Sequence, residues 1–326
     1  MHSSDEWRIP PNFQPDPDAL AYDLAQALSS VVALRSHVPE DAFTAQTLGV
    51  ERAGQGVIIR EDGLILTIGY LIAEAEEVWL TTNDGRAVAG HVTAYDYASG
   101  FGLVQAYKSL NSPVMPLGDS RRLSPGADVV VAGAGGSAHS LAATVVARQE
   151  FAGYWEYFID DAIFTAPAHP NWGGTAVIGA RGDLVGIGSL QLQHEADGGH
   201  IVPLNMSVPI DLLKPILDDL LTLGRVSQPP RPWLGLYASE AEGGQVAIIG
   251  LAGDAPAQRA GLRAGDLVHA VAGQPVTSLS GFYQAIWALG PAGVDITLTL
   301  DREGDRFDVS IRSADRTRFM RSPRLQ

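Results

Sequence analysis

Short apolar runs separated by glycine-bearing turns fill most of this chain, and that punctuation restricts it to a mainly β fold. Gly56-Val57-Ile58-Ile59 leads through the turn Glu61-Asp62-Gly63 into Leu64-Ile65-Leu66-Thr67. Val78-Trp79-Leu80-Thr81-Thr82 with Asn83-Asp84-Gly85 repeats the arrangement. An Asp-Gly pair between apolar runs is a hairpin signal, because the turn needs residues that accept a left-handed backbone. Val129-Val130-Val131-Ala132-Gly133, Ala143-Thr144-Val145-Val146 and Leu184-Val185-Gly186-Ile187 continue the pattern. Many short strands with such turns build a sandwich or a barrel.

Helical spacing is confined to a few places. Leu20, Leu24 and Leu28 recur every fourth residue within 19–30, which predicts a short helix or packed arm. Residues 210–223 carry Leu212, Leu213, Ile216, Leu217, Leu220 and Leu221 on one stripe, with Asp211 as the expected N-cap and Gly224 as the stop. The proline-rich segment 225–232 then reads as a linker. Residues 233–313 form a separate small α/β unit with strands expected at 245–249 and 295–300, and the basic tail from Arg316 is expected to be mobile.

Composition narrows the chemistry. The 326 residues suffice for two or three cores, and a net charge of -15 argues against general nucleic-acid binding, which needs clustered Lys and Arg. The absence of cysteine excludes disulfides, thiolate catalysis and Cys-bound zinc. Eight histidines without ligand spacing predict no metal and no cofactor. Residues 1–18 are polar, contain Pro10, Pro11, Pro15 and Pro17, and do not read as a secretory leader. With no apolar stretch long enough for a membrane span, the expectation is a cytoplasmic protein.

The order of these segments resembles the HtrA/Deg serine proteases, from about Val31 to Arg312. The motifs are Gly54-Gln55-Gly56-Val57-Ile58-Ile59, Asp62-Gly63-Leu64-Ile65-Leu66-Thr67, Asp84-Gly85-Arg86, Pro116-Leu117-Gly118-Asp119-Ser120 and Arg181-Gly182-Asp183-Leu184-Val185-Gly186-Ile187. The resemblance implies a chymotrypsin/trypsin-like double six-stranded β-barrel followed by a small α/β PDZ domain. On this reading residues 1–30 are an N-terminal arm, 31–209 the double barrel, 210–232 the linker helix and linker, 233–313 the PDZ domain and 314–326 the tail.

The family's catalytic positions fall on unexpected residues. Its histidine follows the Ile-Leu-Thr strand, where this chain has Tyr70, a poor proton acceptor with an ordinary pKa of about 10. Its aspartate opens the segment that here contains Gly100, which cannot orient a base. Its nucleophile lies in a Gly-Asn-Ser-Gly-Gly-Pro turn, and the matching Pro170-Asn171-Trp172-Gly173-Gly174-Thr175 puts Trp172 there. The oxyanion-hole amide two residues earlier belongs to Pro170, which has no N–H; one such donor is worth about 3 kcal/mol in a hydrolase. His169, with Ser99, Thr175 or Ser189, is the candidate for a relocated site.

In the C-terminal unit, Trp233-Leu234-Gly235-Leu236-Tyr237 resembles the carboxylate-binding loop of a PDZ domain, and Asp254 to Asp266 matches its Ala-Gly-Leu segment. Ser278 to Leu289 is the expected groove helix, capped by Ser278 or Ser280, with Phe282, Ile286 and Leu289 inward. Such a module captures a peptide by adding it as a strand while loop N–H groups take its terminal carboxylate. The resemblance thus implies partners with free C-termini. The expectation is a non-catalytic, peptide-binding HtrA-like protein, neither a nucleic-acid binder nor a membrane-spanning one. An active endopeptidase with a relocated site and a structural oligomer subunit are the alternatives. The family is normally periplasmic and commonly trimeric, with Trp7, Phe13 and Tyr22 as candidate trimer contacts. The aromatic run 151–158 falls at the family's regulatory loop, and is read as either a partner contact or a strand with its own core face.

Overall fold

The computed structural model describes residues 7–196, 198–241 and 243–321. Residues 1–6 of the N-terminal reading and 322–326 of the tail lie outside them. The chain divides into two compact units, one of residues up to Gln149 with Asp161–Val226, the other of Glu150–Asp160 with residues 227–321.

The first unit holds two closed six-stranded barrels. In one, β1 (Val31–His37), β2 (Glu51–Ile58), β3 (Leu64–Ile68), β4 (Glu77–Thr81), β5 (Ala87–Tyr95) and β6 (Phe101–Ala106) close in the order β1-β2-β3-β6-β5-β4. In the other, β7 (Asp128–Ala132), β8 (Ser140–Gly153), β9 (Tyr157–Ala166), β10 (Ala176–Ile178), β11 (Leu184–Ala196) and β12 (His200–Pro209) close as β10-β11-β12-β9-β8-β7. The expected hairpins form: Val57 pairs with Leu66 across the Asp62-Gly63 turn, and Leu80 pairs with Val88 across Asp84-Gly85. Both turn glycines have φ of 83°, which only glycine adopts without steric cost. Closure leaves no strand edge open, and alternate residues such as Val88, Val92 and Ala94 on β5 point into the core.

The N-terminal arm packs against the second barrel: Ile9 joins its core, and Trp7 rests on the rings of His139 and His169. Its helix is shorter than the leucine spacing implied, spanning Leu24–Leu28 with Asp23 as N-cap. The stretch 210–223 is likewise broken, into a 3-10 turn Ile210–Leu212 and an α-helix Leu217–Leu223. Pro215 lies between them, and proline lacks the N–H and sterically blocks the preceding turn. Asp211 is therefore not its N-cap; it accepts from Ser120 N and Oγ at 2.6 Å each and from Lys214 Nζ at 2.7 Å. Gly224 does end the helix in a left-handed conformation. Among the described residues no helix is long and apolar enough to cross a membrane.

The second unit is a six-stranded sheet of β13 (Leu236–Glu240), β14 (Val246–Leu251), β15 (Leu267–Val271), β16 (Gln274–Pro275), β17 (Asp295–Arg302) and β18 (Asp305–Arg312) in the order β13-β14-β15-β17-β18, with β16 on β15. Ser278 caps the helix Leu279–Trp287 by accepting from Gly281 N. Phe282, Tyr283 and Ile286 are fully buried against Leu298 and Leu300. Leu289 lies past the helix end and is exposed, contrary to the inward position expected of it. The start of the tail is packed rather than loose, since Arg316–Phe319 forms a 3-10 turn with Phe319 against Trp233.

The tightest backbone approach lies at the turn before β10. Gly174 has φ of 78°, and a Cβ there would stand 1.9 Å from the Gln55 carbonyl oxygen. Gly174→Ala is expected to destabilise the barrels by about 3 kcal/mol or more, read as a lowered denaturation midpoint.

Candidate functional site

Tyr70, Gly100 and Trp172, the residues expected at the family's three catalytic positions, lie on neighbouring elements of the barrels. Tyr70 follows β3 on the 3-10 turn Gly69–Leu71. The guanidinium of buried Arg52 holds that turn, donating to the Tyr70 carbonyl at 2.8 Å and the Ala73 carbonyl at 3.0 Å. The Tyr70 hydroxyl donates to the Ser189 carbonyl at 2.9 Å and hydrogen-bonds the side chain of Trp172. Burial pushes its pKa well up, against the pull of the Trp172 contact. Tyr70 therefore works as a neutral tie between the two barrels.

Gly100 closes the turn before β6: its N–H donates to the Asp96 carbonyl at 2.8 Å, and its carbonyl accepts from Gly69 at 2.7 Å. Its φ of 83° is the conformation that glycine favours. Ser99 beside it donates to Asp96 at 2.6 Å. The Trp172 carbonyl accepts from Thr175 N at 3.2 Å and from Thr175 Oγ1 at 3.0 Å, while the Gly173 carbonyl accepts from Gln55 N at 2.8 Å. Pro170 is exposed and supplies no amide.

His169 is structural. Its Nδ1 accepts from Asn171 N at 3.2 Å, which leaves Nε2 to donate to the His139 carbonyl at 3.0 Å. Burial lowers its pKa, against the pull of its contacts with His139 and Asn171. Ser99 and Thr175 are bound elsewhere, so they do not assemble with it. Among the described residues no group of three His, Asp or Glu side chains converges as for a metal.

The second unit contains the more telling arrangement. Gly235, at φ of 75° and too close to Ala255 for any Cβ, turns three successive amides in one direction. Leu234, Gly235 and Leu236 donate at 3.0, 2.7 and 3.1 Å to the carboxyl group of Glu156, which is buried. Trp233 is closed off by backbone pairing with Ala314 at 3.0 and 2.9 Å. The Tyr237 ring meets Tyr154 edge-on at 5.9 Å, and Phe282 and Ile286 are core residues rather than open groove walls. Of the aromatic run, Phe158 joins the core of this unit and Trp155 stacks on Tyr157.

Glu156 was not singled out among the candidate residues. Its only mark in the sequence is a lone carboxylate inside an aromatic run, and its partners lie 78 to 80 residues away. Burial raises its pKa to about 7, opposed by the amides of Leu234, Leu236 and Gly235 and by Arg316.

Two barrels of this topology followed by a PDZ-like sheet define a trypsin-like peptidase fold with a PDZ domain. The trypsin-like peptidase domain family matches residues 54–187, and the PDZ domain family matches residues 232–312. A probable periplasmic serine endoprotease, DegP-like, of Halomonas elongata is 29% identical over 274 residues, covering 80% of this chain and 56% of that protein. The like-named protein of Pseudomonas fluorescens is 28% identical over 270 residues, covering 79% and 55%. This chain thus spans little more than half the length of either relative. An HtrA-type protease AlgW with decapeptide superposes with a TM-score of 0.54 at 20% identity, over 92% of this chain and 98% of that one. The serine endoprotease from Yersinia pestis gives 0.51 at 22%, over 89% and 95%; both show the likeness of fold. Together these likenesses support an HtrA/Deg family member.

Two expectations are corrected here. The expectation of a non-enzyme gives way because the curated relatives are named serine endoproteases. The residue types at Tyr70, Gly100 and Trp172 bear on one place in the chain and do not exclude activity elsewhere in it. The cytoplasmic expectation gives way because the same relatives are named periplasmic.

Because the folded-state pKa of Glu156 is raised, its contribution to stability is fully present below 4.5 and is lost as pH rises through about 7. Wild-type thermal stability is expected to fall across that window relative to Glu156→Gln. A parallel pH profile for the two proteins rules this out.

Proposed function

We propose that this chain is a periplasmic HtrA/Deg-type protein that acts on other polypeptides. Its PDZ unit reads their C-terminal carboxylates, and any peptide-bond cleavage it performs draws on groups other than the side chains at Tyr70, Gly100 and Trp172. The peptidase-like part is assigned to residues 31–209 and the PDZ part to 233–313. The observation that carries the reading is the set of three amides, Leu234, Gly235 and Leu236, converging on one carboxyl group. This is the chemistry by which a PDZ loop takes a peptide terminus. The relatives' names support proteins as the substrate class.

The barrel part of the reading follows from chemistry. An indole offers no nucleophilic oxygen, and a neutral buried phenol is a poor base. Casein hydrolysis and fluorophosphonate labelling, measured on wild type, Tyr70→Phe and Trp172→Ala, are expected to be alike in all three. A drop of ~10-fold or more in a folded variant would return catalysis to these positions.

A further inference from the structure

We infer that the PDZ groove of this chain is occupied by its own hairpin tip, Glu150–Asp160, with Glu156 standing in for the terminal carboxylate of a peptide. The inference deepens the carboxylate-reading proposal and rests on it.

Four separate contacts make the tip a ligand in form. The Glu156 carboxyl group takes the three loop amides. On β13, the Ala238 N–H donates to the Tyr154 carbonyl at 2.9 Å, a ladder bond of the kind an added strand makes. From the groove helix, the Tyr283 hydroxyl donates to the Gly153 carbonyl at 2.9 Å and accepts from Glu156 N at 3.2 Å. Ser280 Oγ on the same helix donates to Glu150 at 2.8 Å. Both walls and the end of the groove are therefore engaged by one segment.

The conformation of Glu156 points the same way. It holds a φ of 58°, in the left-handed region that a non-glycine residue enters at a cost. A strained backbone beneath a buried carboxyl group persists only when its surroundings hold it there. The loop amides supply that hold, and Arg316 adds a nearby positive charge while donating to the Trp155 carbonyl at 3.4 Å.

An incoming chain with a free C-terminus competes for the same amides and the same β13 edge. Because the tip is tethered, it acts at a high effective concentration, and the apparent affinity for the competitor falls by the fraction of grooves that are open. The ligand that opens the site is thus an extended peptide with a free terminal carboxylate, and an amidated terminus does not replace Glu156.

The test uses the full chain as wild type and Glu156→Ala, with a short fluorescent peptide ending in a free valine carboxylate and its amidated twin. The variant is expected to bind the free-carboxylate peptide ~10-fold or more tightly than wild type, with the amidated peptide bound by neither. Hydrogen exchange read without peptide should show Leu234, Gly235, Leu236 and Ala238 amides protected in wild type. Those of Leu234, Gly235 and Leu236 should be released ~10-fold or more in the variant, while Ile248, bonded to the Asp266 carbonyl, stays protected as the fold control. Tyr283→Phe, which frees Gly153, serves if Glu156→Ala loses that control, and should also bind more tightly than wild type. Equal, carboxylate-dependent binding by wild type and variant overturns the occupied groove and leaves the carboxylate loop standing. No binding by either, with Ile248 protected, overturns both.

Discussion

Backbone amides that turn away from their own strand must find an acceptor, and much of this molecule is arranged around that requirement. The loop at Leu234–Gly235–Leu236 presents three such amides together because Gly235 takes a left-handed turn where Ala255 lies too close for any Cβ. Buried and unmatched, each would cost about 1–3 kcal/mol. The chain answers with a carboxyl group brought from far along the sequence, whose own burial is costly unless those amides receive it. Neither side of this contact is stable alone in a dry environment. Together they fix the aromatic hairpin tip, the loop and the groove helix in one arrangement.

The same accounting explains the barrel turn. The carbonyls of Trp172 and Gly173 are taken by Thr175 and Gln55, and Gly174 fits only because nothing projects toward Gln55. The phenol of Tyr70 joins the indole of Trp172 to the Ser189 carbonyl. Hydrogen bonds thus link the turn after β3 to the turn before β10.

Much of the fold was legible in the sequence, because its determinants are local. Short apolar runs and Asp-Gly turns specified the hairpins at Gly63 and Gly85, and of the two caps offered, Ser278 and Ser280, the helix takes Ser278. Where a local rule was overridden, a single residue did it: Pro215 split the leucine-striped segment and released Asp211 to bind Ser120. The candidate site was half legible. Tyr70, Gly100 and Trp172 were reached through motif order, and the fold sets Tyr70 beside Trp172 and Gly100 beside Gly69. Glu156 could not, since a glutamate in an aromatic run looks like any turn residue until the fold sets it against amides nearly 80 positions later. Leu289 failed for the opposite reason: its spacing fits the helix stripe, but the helix ends at Trp287.

The division of the chain into units has a practical corollary. The tip Glu150–Asp160 belongs to the second unit although the rest of that unit begins at residue 227. A C-terminal fragment cut at the linker would leave its own plug behind. It would expose a bare amide nest and a naked β13 edge, and would report a stickiness that the whole polypeptide holds in check.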